Sequence, residues 1–226
     1  MKITKLIVLT ILTFGLTVKV NSQTNDSNNK PILYTDNSIG GNFFIGNGIY
    51  NGNISEYFSN PFYVGINLGY YKNRIAIQFN DYIGFGKTKD VIEYSTQEIW
   101  DENDFVLSGM IDLSLGYSLI DNDDIMIVPL SGIGFNKLSA NLDELYDFGN
   151  KFKPIIPHIK FGCYVDLRIW RFFKNNPSFN INDGSYSCAS LTFGYTIPIS
   201  QTDYYEYYNG NQFYITLGFG GLGKIK

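Results

Sequence analysis

A few side chains in this sequence have the chemistry to do more than pack. His158 is the only histidine among 226 residues, and an imidazole can serve as a general base for a serine nucleophile when an acid orients it. The local run Pro157-His158-Ile159-Lys160 offers no serine two residues along on the same face. Partners would have to come from neighbouring strands, where Ser131 and Ser200 fall. The other chemical group is charged: Asp112, Lys160, Asp166 and Arg168 share one face of two segments. Buried together they must pair, because an uncompensated charge away from water is costly. A histidine hydrogen-bonded to its surroundings and a set of structural ion pairs are the favoured readings of both groups. No phosphate loop, dinucleotide fingerprint, zinc spacing or nuclease carboxylate set is present, so neither a cofactor nor a metal is expected. The glycine-rich end (Gly218, Gly220, Gly221, Gly223) continues a strand and opens no helix, so it is no phosphate cradle.

The elements that position these groups read as strands. From Gly40 onward apolar residues recur with period two. Phe62, Val64, Ile66, Leu68 and Tyr70 oppose Tyr63, Gly65, Asn67 and Gly69. Phe105, Leu107, Ile111, Leu113, Leu115, Tyr117 and Leu119 oppose Ser108, Asp112, Ser114, Gly116 and Ser118. Phe213, Ile215, Leu217 and Phe219 oppose Gln212, Tyr214, Thr216, Gly218 and Gly220. The pattern predicts strands at 40–50, 61–71, 74–86, 105–120, 124–136, 155–170, 187–200 and 211–222. Long polar connections (51–60, 87–104, 137–154, 201–210) alternate with tight turns at Lys72-Asn73 and Asp121-Asn122-Asp123, whose side chains favour turn geometry. Segment 171–186 breaks this alternation and leaves the strand count there open. The fifth segment, Ile125 to Asn136, is apolar on both faces, so its parity is open too. Pro129 cannot donate to a ladder and calls for a bulge or a rim position. Asp81 falls on the apolar face of the third segment, where a bulge or a shallow depth is expected.

Volume decides which face points inward. The apolar faces carry several times the dozen or so side chains that a closed eight-strand barrel packs inside. The opposite faces are rich in Gly, Ser, Thr, Asn and Gln, whereas a solvent-facing surface would be dense in Lys and Glu. The apolar side therefore belongs against lipid, as in an eight-stranded antiparallel up-and-down transmembrane β-barrel. Charged residues make up only 17% of the chain against 17% aromatic. With 17 Lys+Arg against 21 Asp+Glu and no basic cluster, nucleic acid is not an expected partner.

The first 22 residues read as an export signal: Lys2 and Lys5, an apolar stretch from Leu6 to Val18, then Val20-Asn21-Ser22 before Gln23. The expected organisation is a signal peptide at 1–22, a short periplasmic segment at 23–39 and a barrel at 40–226. Cys163 and Cys188 fall on opposite faces of neighbouring strands, so no disulfide is expected.

The export signal, the eight segments and the last strand, Gln212-Phe213-Tyr214-Ile215-Thr216-Leu217-Gly218-Phe219, resemble the small bacterial outer-membrane barrel proteins, OmpA-like in type. The resemblance covers roughly 40–222. Members usually end on an aromatic residue that the assembly machinery reads; here Gly220 to Lys226 follow Phe219, which would serve from an internal position. The resemblance implies a monomer in the outer membrane, both termini in the periplasm and four longer loops outside. Its partners would be membrane lipid, lipopolysaccharide and an extracellular ligand or host surface. The expected role is structural, adhesive or recognition by loops, and not enzymatic. The rivals are a lipid A-modifying enzyme built on His158, a narrow porin-like channel, and a secreted soluble ligand binder. In the loops, Tyr204, Tyr205, Tyr207 and Tyr208 suit either a contact surface or an interface girdle. The acids of 87–104 (Asp90, Glu93, Glu98, Asp101, Glu102, Asp104) read as a solvated loop.

Overall fold

The computed structural model describes residues 37–95, 98–122, 124–140, 142–145, 155–169, 186–199 and 207–224. The export signal expected at 1–22 and most of the segment at 23–39 lie outside them. Period-two patterning becomes eight long strands: β1 (Ser38–Asn51), β2 (Phe62–Lys72), β3 (Ile75–Lys87), β4 (Phe105–Tyr117), β5 (Ile125–Ser139), β6 (Ile155–Arg168), β7 (Tyr186–Pro198) and β8 (Asn211–Lys224). Each pairs antiparallel with the next, β6 directly with β7 across the segment whose strand count was open. β1 pairs with β8 from Ser38↔Lys224 to Asn51↔Asn211, which closes the barrel. Closure satisfies every ladder without leaving an edge, the condition for strands to stand in hydrocarbon. No helix among the described residues is long and apolar enough to cross a membrane.

The two faces separate as the volume argument requires. Phe43 is 77% exposed, Leu113 54% and Leu217 63%, all on the outside. Their chain neighbours Asn42, Asp112 and Thr216 are buried in the lumen. The lumenal face also carries large aromatics: Tyr63, Tyr82, Tyr164 and Tyr214 are fully buried. Lumenal glycines make room for them. Tyr214 lies beside its register partner Gly194, where an added Cβ would stand 2.2 Å from the phenol oxygen. Tyr63 covers Gly84 in the same way, its ring carbon Cε1 standing 2.5 Å from where a Cβ would be. Large and small side chains thus alternate across facing positions and fill a narrow tube.

At one end, here the turn end, connections are tight. Asn73 and Arg74 both take positive φ (49° and 70°), the geometry of a type I′ hairpin turn. The fifth strand's parity is resolved: Met126, Val128 and Leu130 point inward, and Pro129, Ile133 and Phe135 outward. Pro129 stands where the register slips by one residue, between Gly116↔Leu130 and the short extension Ile120↔Ile127. The missing N–H is placed at an interrupted ladder. Asp81 is on the outer face as expected, but without the bulge. The registers Ile66↔Asp81 and Asp81↔Ile111 run unbroken, with no bulge, so the carboxylate stays on the outer face in the middle of β3. Continuous ladders on both sides hold the backbone there more strongly than one carboxylate can displace it.

At the loop end the connections fold over the barrel. The short helix α1 (Ile54–Tyr57) follows β1. A hairpin of Ile92–Ser95 and Glu98–Trp100 tops the β3–β4 connection. Ile54, Phe58, Ile92, Trp100, Val106, Leu138 and Tyr208 bury one another as an apolar cap. Phe58 stacks on Tyr208 at 5.7 Å and meets Trp100 edge-on at 6.1 Å. The acidic stretch of 87–104 is therefore built on a buried apolar side, beyond the solvated loop expected of it. Outside the wall, α2 (Leu142–Leu145) lies near the top of β4 and β5, with Leu145 against Gly109. Leu107, Lys137 and Ser139 have outward parity there yet are buried.

Candidate functional site

The lumen is the chemical centre of the molecule, and the strands bring its charges together at mid-height. Asp112 on β4 and Lys160 on β6 flank β5, whose Gly132 and Gly134 leave space between them. A Cβ on Gly134 would stand 2.7 Å from both Asp112 Cβ and His158 Nε2. Lys160 Nζ donates to Asp112 Oδ2 at 2.8 Å and to Tyr82 Oη at 3.1 Å. The other carboxylate oxygen, Oδ1, accepts from Asn80 Nδ2 at 2.7 Å and from Ser114 Oγ at 2.9 Å. Asn80 Oδ1 in turn accepts from Asn67 Nδ2 at 2.7 Å. The ammonium also lies 5.2 Å and 5.0 Å from the ring centroids of Tyr82 and Tyr214, within cation–π range. Both charges are fully buried. Charge, hydrogen bonds and rings together make a plug across the barrel's waist.

A second ion pair brings in an acid outside the four candidates. Arg168 reaches Asp121 and the carbonyl of Asn122, tying the β4–β5 turn to the base of β6. The backbone supports this clasp, since Arg168 N–H donates to Asp124 O at 2.9 Å. Asp166 is buried in the lumen close to this end. The sequence placed Asp121 in a turn, and only the register of strand ends brings it under Arg168.

His158 is inward and 2% exposed, one layer above the plug. Neither ring nitrogen has a hydrogen-bond partner. Ser131, a proposed nucleophile, is exposed on the outer face of β5, and Ser200 lies outside the described residues. The described geometry therefore assembles no serine, histidine and acid in reach of one another. Tyr204 and Tyr205 also lie outside the described residues. Tyr207 is half-buried against Tyr57 at 4.7 Å, and Tyr208 is buried in the cap. Tyr208 is thus held inward by Phe58, because its ring is worth more in the apolar cap than in water. No cluster of three or more metal-ligating side chains exists among the described residues. Both cysteines are free thiols, Cys188 in the lumen and Cys163 on the outer wall.

An apolar exterior, a packed lumen with charged and polar groups at its waist, closed antiparallel strands, and turns at one end against folded loops at the other define a transmembrane β-barrel of the outer-membrane type. Rings at both rims suit a membrane interface: Phe62, Phe85, Phe105 and Phe213 near the loops, Tyr70 and Tyr117 near the turns.

No family model and no curated protein matches the chain. Solved structures similar to it include the outer membrane protein OprG from Pseudomonas aeruginosa, at 6% identity and TM-score 0.49 over 84% of this chain and 98% of that one. Neisserial surface protein A (NspA) is similar at 12% identity and TM-score 0.45, over 83% and 96%. Ail, the attachment invasion locus protein of Yersinia pestis, is similar at 14% identity and TM-score 0.42, over 83% and 99%. The outer-membrane class rests on this chain's own two surfaces.

Proposed function

We propose that this barrel is a non-conducting, non-enzymatic envelope protein that works through its loop end, as a structural anchor or as a surface-recognition element. The observation that supports this most directly is the Lys160–Asp112 plug, with Tyr82 and Tyr214 against it, at the waist of the lumen. Among the described residues, two cavities toward the loop end measure about 20 and 10 Å³, room for about one water each. A hydrated ion needs a continuous wet path, which eight strands with filled interiors do not leave. A closed lumen would leave the lipid belt and the capped loops as the surfaces that meet other molecules.

The expected orientation puts the turn end, where Ser38 pairs with Lys224, in the periplasm and the cap outside. Lipopolysaccharide would then meet the loop-end rim, and a ligand or host surface would meet the cap. Two experiments test this reading. In planar bilayers the purified protein should be electrically silent, and discrete channel openings would contradict it. Cells displaying the barrel should bind an immobilised animal-cell or matrix surface more than cells displaying a barrel with residues 88–104 replaced by a short turn. Equal binding at equal surface display would leave only the structural-anchor role.

A further inference from the structure

Between the cap and the plug is a small space of about 20 Å³, walled by His158, Gln212, Asn136, Thr196, Tyr50 and Tyr208 among others. Two of its walls carry unmet hydrogen-bonding capacity. His158 and Gln212 are each only 2% exposed, and both imidazole nitrogens and Gln212 Oε1 lack a partner. The geometry fixes the direction of the glutamine. Its Nε2 donates to Tyr63 Oη at 2.7 Å, leaving Oε1 to accept from something else. A neutral imidazole has one donor and one acceptor nitrogen. The missing partner must therefore donate to Gln212 and also be able to donate to, or accept from, the ring.

We propose that this space is a specific binding site for one structural water, held by His158 and Gln212. Its volume is above the roughly 10–15 Å³ that one water requires and too small for a larger molecule. The walls are polar, the second condition for a hydrated cavity. A bare cation is a poor fit, because no carboxylate is among the described lining residues and the Lys160 ammonium is carried two residues along the same strand. A water meets both orphan groups at once. It also becomes the hydrogen-bonding junction between the two halves of the interior. Above it is Tyr208 of the cap, and below it His158 packs across Gly134 from Asp112.

The single histidine makes the test clean. The full-length mature protein, purified without a polyhistidine tag and labelled with ¹⁵N-histidine, gives one imidazole to observe in lipid nanodiscs. Magnetisation transfer between a slowly exchanging His158 ring proton and a bound water is expected. Thr196→Ile, which adds apolar volume to the wall, should abolish that transfer while the barrel keeps its heat-modifiable gel mobility. A crystal structure of the unmodified chain gives a second readout that needs no variant. Density for one water within about 3.2 Å of an imidazole nitrogen and of Gln212 Oε1 is expected. An empty site, density for an ion, or water transfer that survives Thr196→Ile in a folded barrel overturns the proposal.

Discussion

Cutting the plug in halves measures what holds the interior together. Lys160→Met removes the cation and leaves the Asp112 carboxylate buried with only the neutral donors Asn80 and Ser114. Breaking one partner of a buried ion pair costs about 3–5 kcal/mol. Asp112→Leu leaves the ammonium with the Tyr82 hydroxyl and two ring faces. Desolvated cation–π contacts return about 2 kcal/mol, so this loss should fall at the lower end, about 3 kcal/mol. The double variant leaves no charge at the plug and should lie within about 1–2 kcal/mol of the parent, since apolar replacement of a whole buried pair is often neutral. The assay is reversible urea unfolding into and out of lipid vesicles, followed by tryptophan fluorescence for all four proteins. A coupling energy of several kcal/mol is expected. Additive losses, or single-variant losses under about 0.5 kcal/mol, would refute a buried paired plug.

The same vesicle assay checks three local claims. Asp81→Leu removes a carboxylate from the lipid face between Ile66 and Ile111, and should stabilise the barrel by about 1–2 kcal/mol; a loss would mean that Asp81 has a partner there. Gly194→Ala drives a methyl to 2.2 Å from Tyr214 Oη and should destabilise by about 1–3 kcal/mol, whereas an unchanged urea midpoint would place that tyrosine elsewhere. Arg74→Gly relieves a positive φ of 70° and should gain about 0.5–1 kcal/mol, with a loss arguing against the I′ turn.

Alternation carried most of the fold. The inward and outward sets of β2, β4 and β8 fall where period two puts them, and filling volume with large outward side chains decided the rest. Pro129 was also legible, because a residue without an N–H needs a broken ladder, and the register slips beside it. What escaped depended on registers between distant strands. Arg168 meets Asp121 because the β4–β5 turn folds under the end of β6, a juxtaposition that local sequence does not encode. Asp81 could not be placed by its polarity, since ladders on both flanks outweigh one solvation preference. The cap had a missed signal. Ile92 and Trp100 bracket a stretch otherwise rich in acids, and Phe58 and Tyr208 stand in neighbouring loops; apolar residues gathered in consecutive connections are material for a small core of their own.

The direction of the apolar face is tested most directly by spin labels on a background free of Cys163 and Cys188. Single cysteines replace Phe43, Leu113 and Leu217 on one face, and Asn67, Ser114 and Thr216 on the other. In bilayers, labels at the first three positions should collide with oxygen dissolved in the acyl chains and escape a water-soluble nickel chelate, while labels at the other three should be immobilised and shielded from both. Nickel-accessible labels at Phe43, Leu113 and Leu217 would contradict the barrel's orientation toward lipid.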